Sequence, residues 1–404
     1  MYGNIALLAL FAVAYSLVAN RLARTPVNGP VVYLAFGVIA GPVGLGLLDL
    51  AIDGEGIRLI AELTLALVLF ADASNADLAV LRRAIRLPGR LLLIGLPLTI
   101  LLGFGAGVLL LPELGLLEIA ILATLLAPTD AALGKAVVSN PDVPAPVREG
   151  LNVESGLNDG ICVPILFTFL ALATRSGGDE GAGALAVKLV AEEIGIGAGI
   201  GVGLAVVAAF GLRAAGRRGW LVDPWLQIPI VALAFASFGL AQHAGGSGFI
   251  ACFTGGLAFG ALVKEHKEEL FESAEGMAEL LALLTWVTFG AVVVLQHAGD
   301  IHWSTTLYAI LSLTVVRMLP VFVSLLGLGV RTDAKLFVGW FGPRGLASIV
   351  FLVIVVQEKL PGSDVLMSAT VATVVLSILG HGISANPLAA RFGARRAPEG
   401  GGAG

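Results

Sequence analysis

Residues 125–133 read LLAPTDAAL, and residues 339–348 read GWFGPRGLAS. Each stretch lies inside a long apolar run that otherwise has the composition of a helix. Pro128 removes a backbone donor and crowds the preceding turn, so the first helix opens there. Gly342, Pro343 and Gly345 break the second around Arg344. Opened backbone at membrane depth is tolerated only where protein or a water-lined cavity covers it. Two such breaks, one carrying Asp130 and the other Arg344, predict interrupted helices that cross inside a helical bundle. The two runs are seven apart in chain order, so they cross the membrane in opposite directions. Paired breaks of this kind point to an inverted-repeat transporter.

Composition agrees. The chain has 404 residues, of which 57% are hydrophobic and 13% charged, and its mean hydropathy is +0.94. A soluble domain carries about 25% charged residues. Half that density cannot coat a water-exposed surface, which excludes a soluble enzyme and a disordered chain. The net charge of -5 offers nothing to nucleic acid. Cys162 and Cys252 sit in separate apolar stretches, without disulfide or metal spacing. The first apolar run lacks a basic leader and a small-residue cleavage site, and it reads as a span.

A span needs about 20 apolar residues. About thirteen such runs can be read, near 3–20, 27–48, 57–76, 89–112, 117–138, 149–173, 189–212, 224–242, 247–263, 277–297, 304–327, 334–356 and 365–388. They make residues 1–396 one polytopic unit, all-α, followed by a Gly-rich tail, 397–404, expected to be disordered. Of the 24 Lys and Arg residues, Arg317 and Arg344 fall within runs. Arg58, Arg175, Lys188 and Lys359 fall on one side of the membrane, and all the others fall on the opposite side. The positive-inside rule then predicts an outside N-terminus and a cytoplasmic C-terminus.

Charges inside runs are costly and mark function. They are Asp72, Asp130, Glu154, Asp159, Arg317 and Arg344. A broken helix exposes a positive N-terminus and a negative C-terminus. Asp130 is expected to neutralise the first and Arg344 the second. Residues 152–160 read NVESGLNDG. Glu154 and Asn158 form one i, i+4 pair on that helix, and Ser155 and Asp159 form the adjacent one. Oxygen ligands suit a hard monovalent cation. A titratable carboxylate there holds either the cation or a proton, and that competition alone produces antiport. Asp159 is the carboxylate chosen for it. Glu154 is expected to pair with Arg317. Asp72, in LVLFADAS (67–74), either supplies another oxygen or is solvated at the end of its helix beside Asn75 and Asp77.

At these residues the chain resembles a family. TDAALGKAVVSNPDVP (129–144) followed by ESGLNDG (154–160) is similar to the paired motif of cation–proton antiporter-1 proteins, the NhaP-type sodium/proton antiporters and sodium/proton exchangers. GGSGFIACFTGGL (245–257), TVVRMLP (314–320), FGPRGLASIVF (341–351) and HGISANPLAA (381–390) resemble its later motifs. The resemblance implies an NhaA-like antiporter fold of thirteen helices and an elevator-like core. The core would take in about 57–173 and 277–388, and a dimerisation domain about 1–48 and 189–263. It implies a homodimer in a bacterial or archaeal plasma membrane and no cofactor beyond the transported Na+ and H+. Asp159, Ser155, Thr129 and Asp72 would hold the cation, with Asp130 beside them. Glu154–Arg317, supported by Asn158, and Arg344 would hold the frame. A single aspartate beside Asn158 implies electroneutral one-for-one exchange. Gly156 departs from the pattern, where a larger apolar residue is common, and Ala131-Ala132 replaces the more usual Pro-Val.

Three other readings stand beside Na+ (or Li+) exchange. The same carboxylates could serve K+/H+ antiport, or line a passive cation channel, which would conduct without proton coupling. Gly245–Gly248 around Ser247, with His243 or His381 as base, could form a serine protease turn. Close packing of small residues explains those glycines far better, and the protease turn is a remote alternative.

Overall fold

With lipid as solvent, every backbone polar group needs a partner within the protein, and helices meet that demand segment by segment. The computed structural model describes residues 2–22, 25, 27, 29–48, 55–75, 86–130, 133–138, 140, 143–175, 182–222, 225–263, 267–294, 299 and 302–394. All regular structure among them is helical. The tail 397–404, Asp77, Ala131 and Ala132 lie outside the described residues.

The first four helices are α1 (Tyr2–Leu22), α2 (Gly29–Ala40), α3 (Glu55–Asn75) and α4 (Arg86–Leu110). The fifth run is split into α5 (Leu116–Leu125) and α6 (Lys135–Val138). Then come α7 (Ala145–Arg175), α8 (Ala182–Arg217), α9 (Pro229–His243), α10 (Gly248–Leu262) and α11 (Lys267–Thr288). The eleventh run holds α12 (Trp303–Leu313) and α13 (Val315–Ser324). The twelfth is split into α14 (Thr332–Trp340) and α15 (Leu346–Gln357), and α16 (Ser363–Ala394) closes the chain. Helix therefore falls on each of the thirteen runs. Seven stretches among the described residues are long and apolar enough to cross a bilayer, and five apolar helices are shorter. The chain is an integral membrane protein.

Three local departures have local causes. The second run leaves the helix at Ala40 instead of continuing to 48. Leu45 N–H turns back to Ile39 O at 2.7 Å, and Gly46 takes a φ of +65°, which a side chain would resist. The eleventh run bends at Thr314 (φ -110°, ψ -93°), and Pro320 removes the donor that would reach Val316. Single π-helical turns occupy Leu91–Gly95 within α4 and Phe289–Val294 after α11.

Packing sorts the helices into two sets. α3 lies along α10 and also meets α9 and α11, while α8 lies along α10 on its other side. Small residues make those seams. A Cβ on Gly256 or Gly260 of α10 would strike the backbone carbonyls of Phe70 or Ser74. One on Gly201 of α8 would strike that of Ala251. Backbone meets backbone there, as in other close membrane helix pairs. The other set gathers α4, α5 and α7 with α12 to α16. α7 touches α5, α8 and α3, so it runs where the two sets meet. Arginines on neighbouring helices close helix ends. Arg90 donates to Ser324 O and Leu326 O, and Arg213 to Leu262 O, covering carbonyls that helices leave unpaired.

Candidate functional site

The two breaks meet at backbone level. Asp130 N–H donates to Pro343 O at 2.8 Å. The Asp130 carboxylate then serves both restarting helices. Oδ1 accepts from Leu133 N–H at 3.1 Å, ahead of α6, and Oδ2 from Leu346 N–H at 2.8 Å, the first residue of α15. One carboxylate thus caps two positive helix ends. Arg344 does the converse. Its Nη1 donates to Ala127 O at 2.6 Å and Pro128 O at 3.0 Å, the carbonyls left behind where α5 stops. Its own N–H donates to Ser377 Oγ at 2.7 Å. Ser348 Oγ adds a bond to Leu125 O at 2.8 Å. Gly345 is obligatory at this crossing, because a Cβ there would overlap the Asp130 carboxylate. The two charges expected at the breaks each hydrogen-bond named backbone groups of the opposite break.

α7 passes beside the crossing and carries the remaining polar residues. Glu154 and Arg317 form a two-pronged ion pair, Nη1–Oε1 2.5 Å and Nη2–Oε2 2.8 Å, with each residue 1% exposed. Arg317 therefore does not reach for an interface. Thr129, in the opened segment, shares a hydrogen bond with Ser155 at 2.9 Å. Asn158 Nδ2 donates to the same Thr129 Oγ1 at 2.8 Å. No hydrogen bond from Asn158 to Glu154 or Arg317 is found among the described residues. The amide is committed to the opened helix instead, because Asn158 lies one turn beyond Glu154, level with Pro128-Thr129.

Asp159 is buried, and its Oδ1 accepts no hydrogen bond from a protein group; the same is true of Asn158 Oδ1. Asp72 and Asp130 both lie within electrostatic reach of Asp159. Asp72 is half-buried, with its backbone against Gly156, where a Cβ would meet Asp72 Cβ at 3.6 Å. α3 thus meets α7 at Gly156, where even an alanine would make only ordinary contact with Asp72. Hydroxyl and carboxylate oxygens of the kind that suits a hard monovalent cation thus lie on α7 and on the segments packed against it. Ser247 has no comparable machinery. Its hydroxyl caps α10 at Ile250 N–H, its N–H donates to Glu193 O, and no histidine bonds it among the described residues.

Sequence reading did not single out Ser348 or Ser377. Both are short hydroxyl residues on apolar helices, where serine usually bonds its own helix; Ser348 lies close to a break along the chain, and nothing in the sequence marks Ser377.

A bundle of membrane helices with two crossed, opposite-facing interruptions, tied by Asp130 and Arg344, defines the class. The family follows from comparison. Residues 6–391 match the family described as sodium/hydrogen exchanger, transmembrane, and the chain belongs to it. It is 25% identical over 382 residues to the K(+)/H(+) antiporter NhaP2 of Shewanella sp. (strain MR-4), covering 94% of this chain and 64% of the relative. It is 24% identical over 394 residues to the K(+)/H(+) antiporter NhaP of Alkalimonas amylolytica, covering 95% and 65%. The chain thus spans slightly less than two thirds of these relatives' length. The fold is similar to the sodium proton antiporter MjNhaP1 from Methanocaldococcus jannaschii, with a TM-score of 0.78, 20% identity, and 94% and 98% of the two chains covered.

Proposed function

We propose that this chain exchanges a monovalent cation, Na+ first and Li+ next, for H+ across a membrane, one for one and without net charge movement. The observation that carries this reading is Asp159: a buried carboxylate with an unpartnered oxygen, set beside hydroxyl ligands on an opened helix. Such a carboxylate is neutralised by a cation or by a proton, and the two exclude each other. Alternating access then yields antiport. Thr129 and Ser155 supply hydroxyl oxygens, and Asp72 a second carboxylate. Glu154–Arg317 and Asp130–Arg344 keep the frame in register.

Asp72 is half-buried and in electrostatic reach of exposed Glu275 on α11. In this reading the membrane is the bacterial or archaeal plasma membrane, with the N-terminus outside. Two protomers dimerise, a reading supported by α1, which has no buried residue. The moving core comprises α4, α5 to α7 and α12 to α16. Packing favours assigning α3 and α11 to the scaffold, within the ranges first grouped with the core.

Purified protein in proteoliposomes, with an internal pH dye, tests the proposal. An imposed Na+ gradient should move protons, and clamping the voltage should leave the rate unchanged. No proton movement at any pH overturns antiport and favours a channel. The K(+)/H(+) antiporter names of the relatives favour a second reading, K+/H+ exchange. Proton movement with K+ and none with Na+ would establish it.

A further inference from the structure

α14 ends at Trp340, and the break follows. In an unbroken helix the Trp340 carbonyl would accept from Arg344 N–H, four residues on. The break parts those two groups; Gly342 N–H donates to Trp340 O at 2.8 Å, and α16 reaches both Trp340 O and Arg344 N–H. His381 Nε2 lies 2.8 Å from Trp340 O, and Ser377 Oγ accepts from Arg344 N–H at 2.7 Å. Ser377 and His381 are themselves joined, Oγ to Nδ1 at 3.2 Å, across one turn of α16. Trp340 O and Ser377 O can only accept, and Nε2 and Nδ1 lie 2.8 and 2.9 Å from them, so each ring nitrogen donates to its carbonyl when protonated. The Ser377 hydroxyl oxygen accepts from Arg344 N–H. Both carbonyl contacts keep the ring against α16. The Trp340 indole is anchored on the same helix, with Nε1 donating to Ser384 Oγ at 2.9 Å and its ring 5.1 Å from that of His381. Both Ser377 and His381 are buried.

We propose that Ser377 and His381 are positioning residues for exchange. Together they splice the i→i+4 hydrogen bond that the break removes, and so fix Arg344 where its guanidinium covers the carbonyls of Ala127 and Pro128. The argument rests on the antiport reading above for its consequence, though not for its geometry. Without the splice, Arg344 loses its backbone anchor and the opened segment samples positions in which α5 is uncovered. The core then turns over more slowly. The cation ligands on α7 are untouched, so cation affinity holds.

The test measures exchange and backbone protection in Ser377→Ala, His381→Leu, His381→Gln and the double variant Ser377→Ala/His381→Leu. His381→Leu should lower the maximal exchange rate about tenfold, with half-saturating cation concentration within about twofold. His381→Gln, whose amide can donate to Trp340 O and accept from Ser377, should recover to within about threefold of wild type. The double variant should be no slower than the slower single one, since each cuts the same chain. Hydrogen–deuterium exchange over 341–346 should speed up in Ser377→Ala and His381→Leu and not in His381→Gln. Ser377→Ala is a small truncation, and it decides the matter if His381→Leu fails to fold. Wild-type rate and protection in Ser377→Ala, or rate losses that multiply in the double variant, overturn the splice. Wild-type protein that moves no protons at all overturns the antiport reading instead, and the protection measurement still judges the splice.

Discussion

Glu154 and Asp159 lie five residues apart on α7, and both are buried, 1% and 7% exposed. Glu154 has an arginine on both oxygens, at 2.5 and 2.8 Å. Asp159 keeps Oδ1 without a protein partner and has two other aspartates within electrostatic reach. Burial therefore does not separate a frame carboxylate from a working one; the partner does. A carboxylate held by a fixed cation has no further use for a mobile one. A carboxylate left among other acids demands a mobile cation or a proton.

That contrast can be broken from either side. The largest effect is expected for Asp159→Asn, which should lower exchange at least about a hundredfold while the detergent melt and elution volume stay as in wild type. Exchange at wild-type rate would remove Asp159 from the mechanism. Arg317→Ala should instead act on folding, costing about 3–5 kcal/mol, because Glu154 is left buried and charged. A thermal melt measures it, and Glu154→Leu combined with Arg317→Met should recover most of the loss. Gly345→Ala forces a methyl group onto the Asp130 carboxylate and should cost about 1–3 kcal/mol, with slower exchange. Thr129→Val removes one hydroxyl from the site and two hydrogen bonds from the opened segment. It should raise the half-saturating cation concentration about tenfold, with stability lowered by about 1 kcal/mol. Gly156→Ala sharpens the comparison most gently. Its Cβ meets Asp72 at 3.6 Å, an ordinary contact, so exchange should stay within about twofold.

The charged residues of the site were the legible part. A proline or a glycine pair inside a lipid-depth run has one physical meaning, so Pro128 and Gly342-Pro343-Gly345 announced both breaks. The charges inside runs, too costly to be accidental, announced Asp130, Arg344 and the Glu154–Arg317 pair. What stayed hidden depends on register between helices far apart in the chain. Asn158 could face Arg317 or Thr129, and only the depth at which α5 stops decides for Thr129. The bend at Thr314 and the π turn at Phe289–Val294 are set by neighbours. His381 and Ser377 look like any polar pair on a helix until the missing bond between Trp340 and Arg344 is counted.

The glycine seams of α8, α10 and α3 have a further consequence, in entropy. Ordering a long side chain costs up to about 2 kcal/mol, whereas glycine has no side chain to order. Where Gly256 and Gly260 lie on the carbonyls of Phe70 and Ser74, the two glycines themselves have no rotamer to freeze. A leucine zipper in the same place could slip by exchanging rotamers. Backbone against backbone fits in one way, with nothing to rearrange. In the proposed mechanism α3 then stands as a wall, against which the helices around Asp159 would shift.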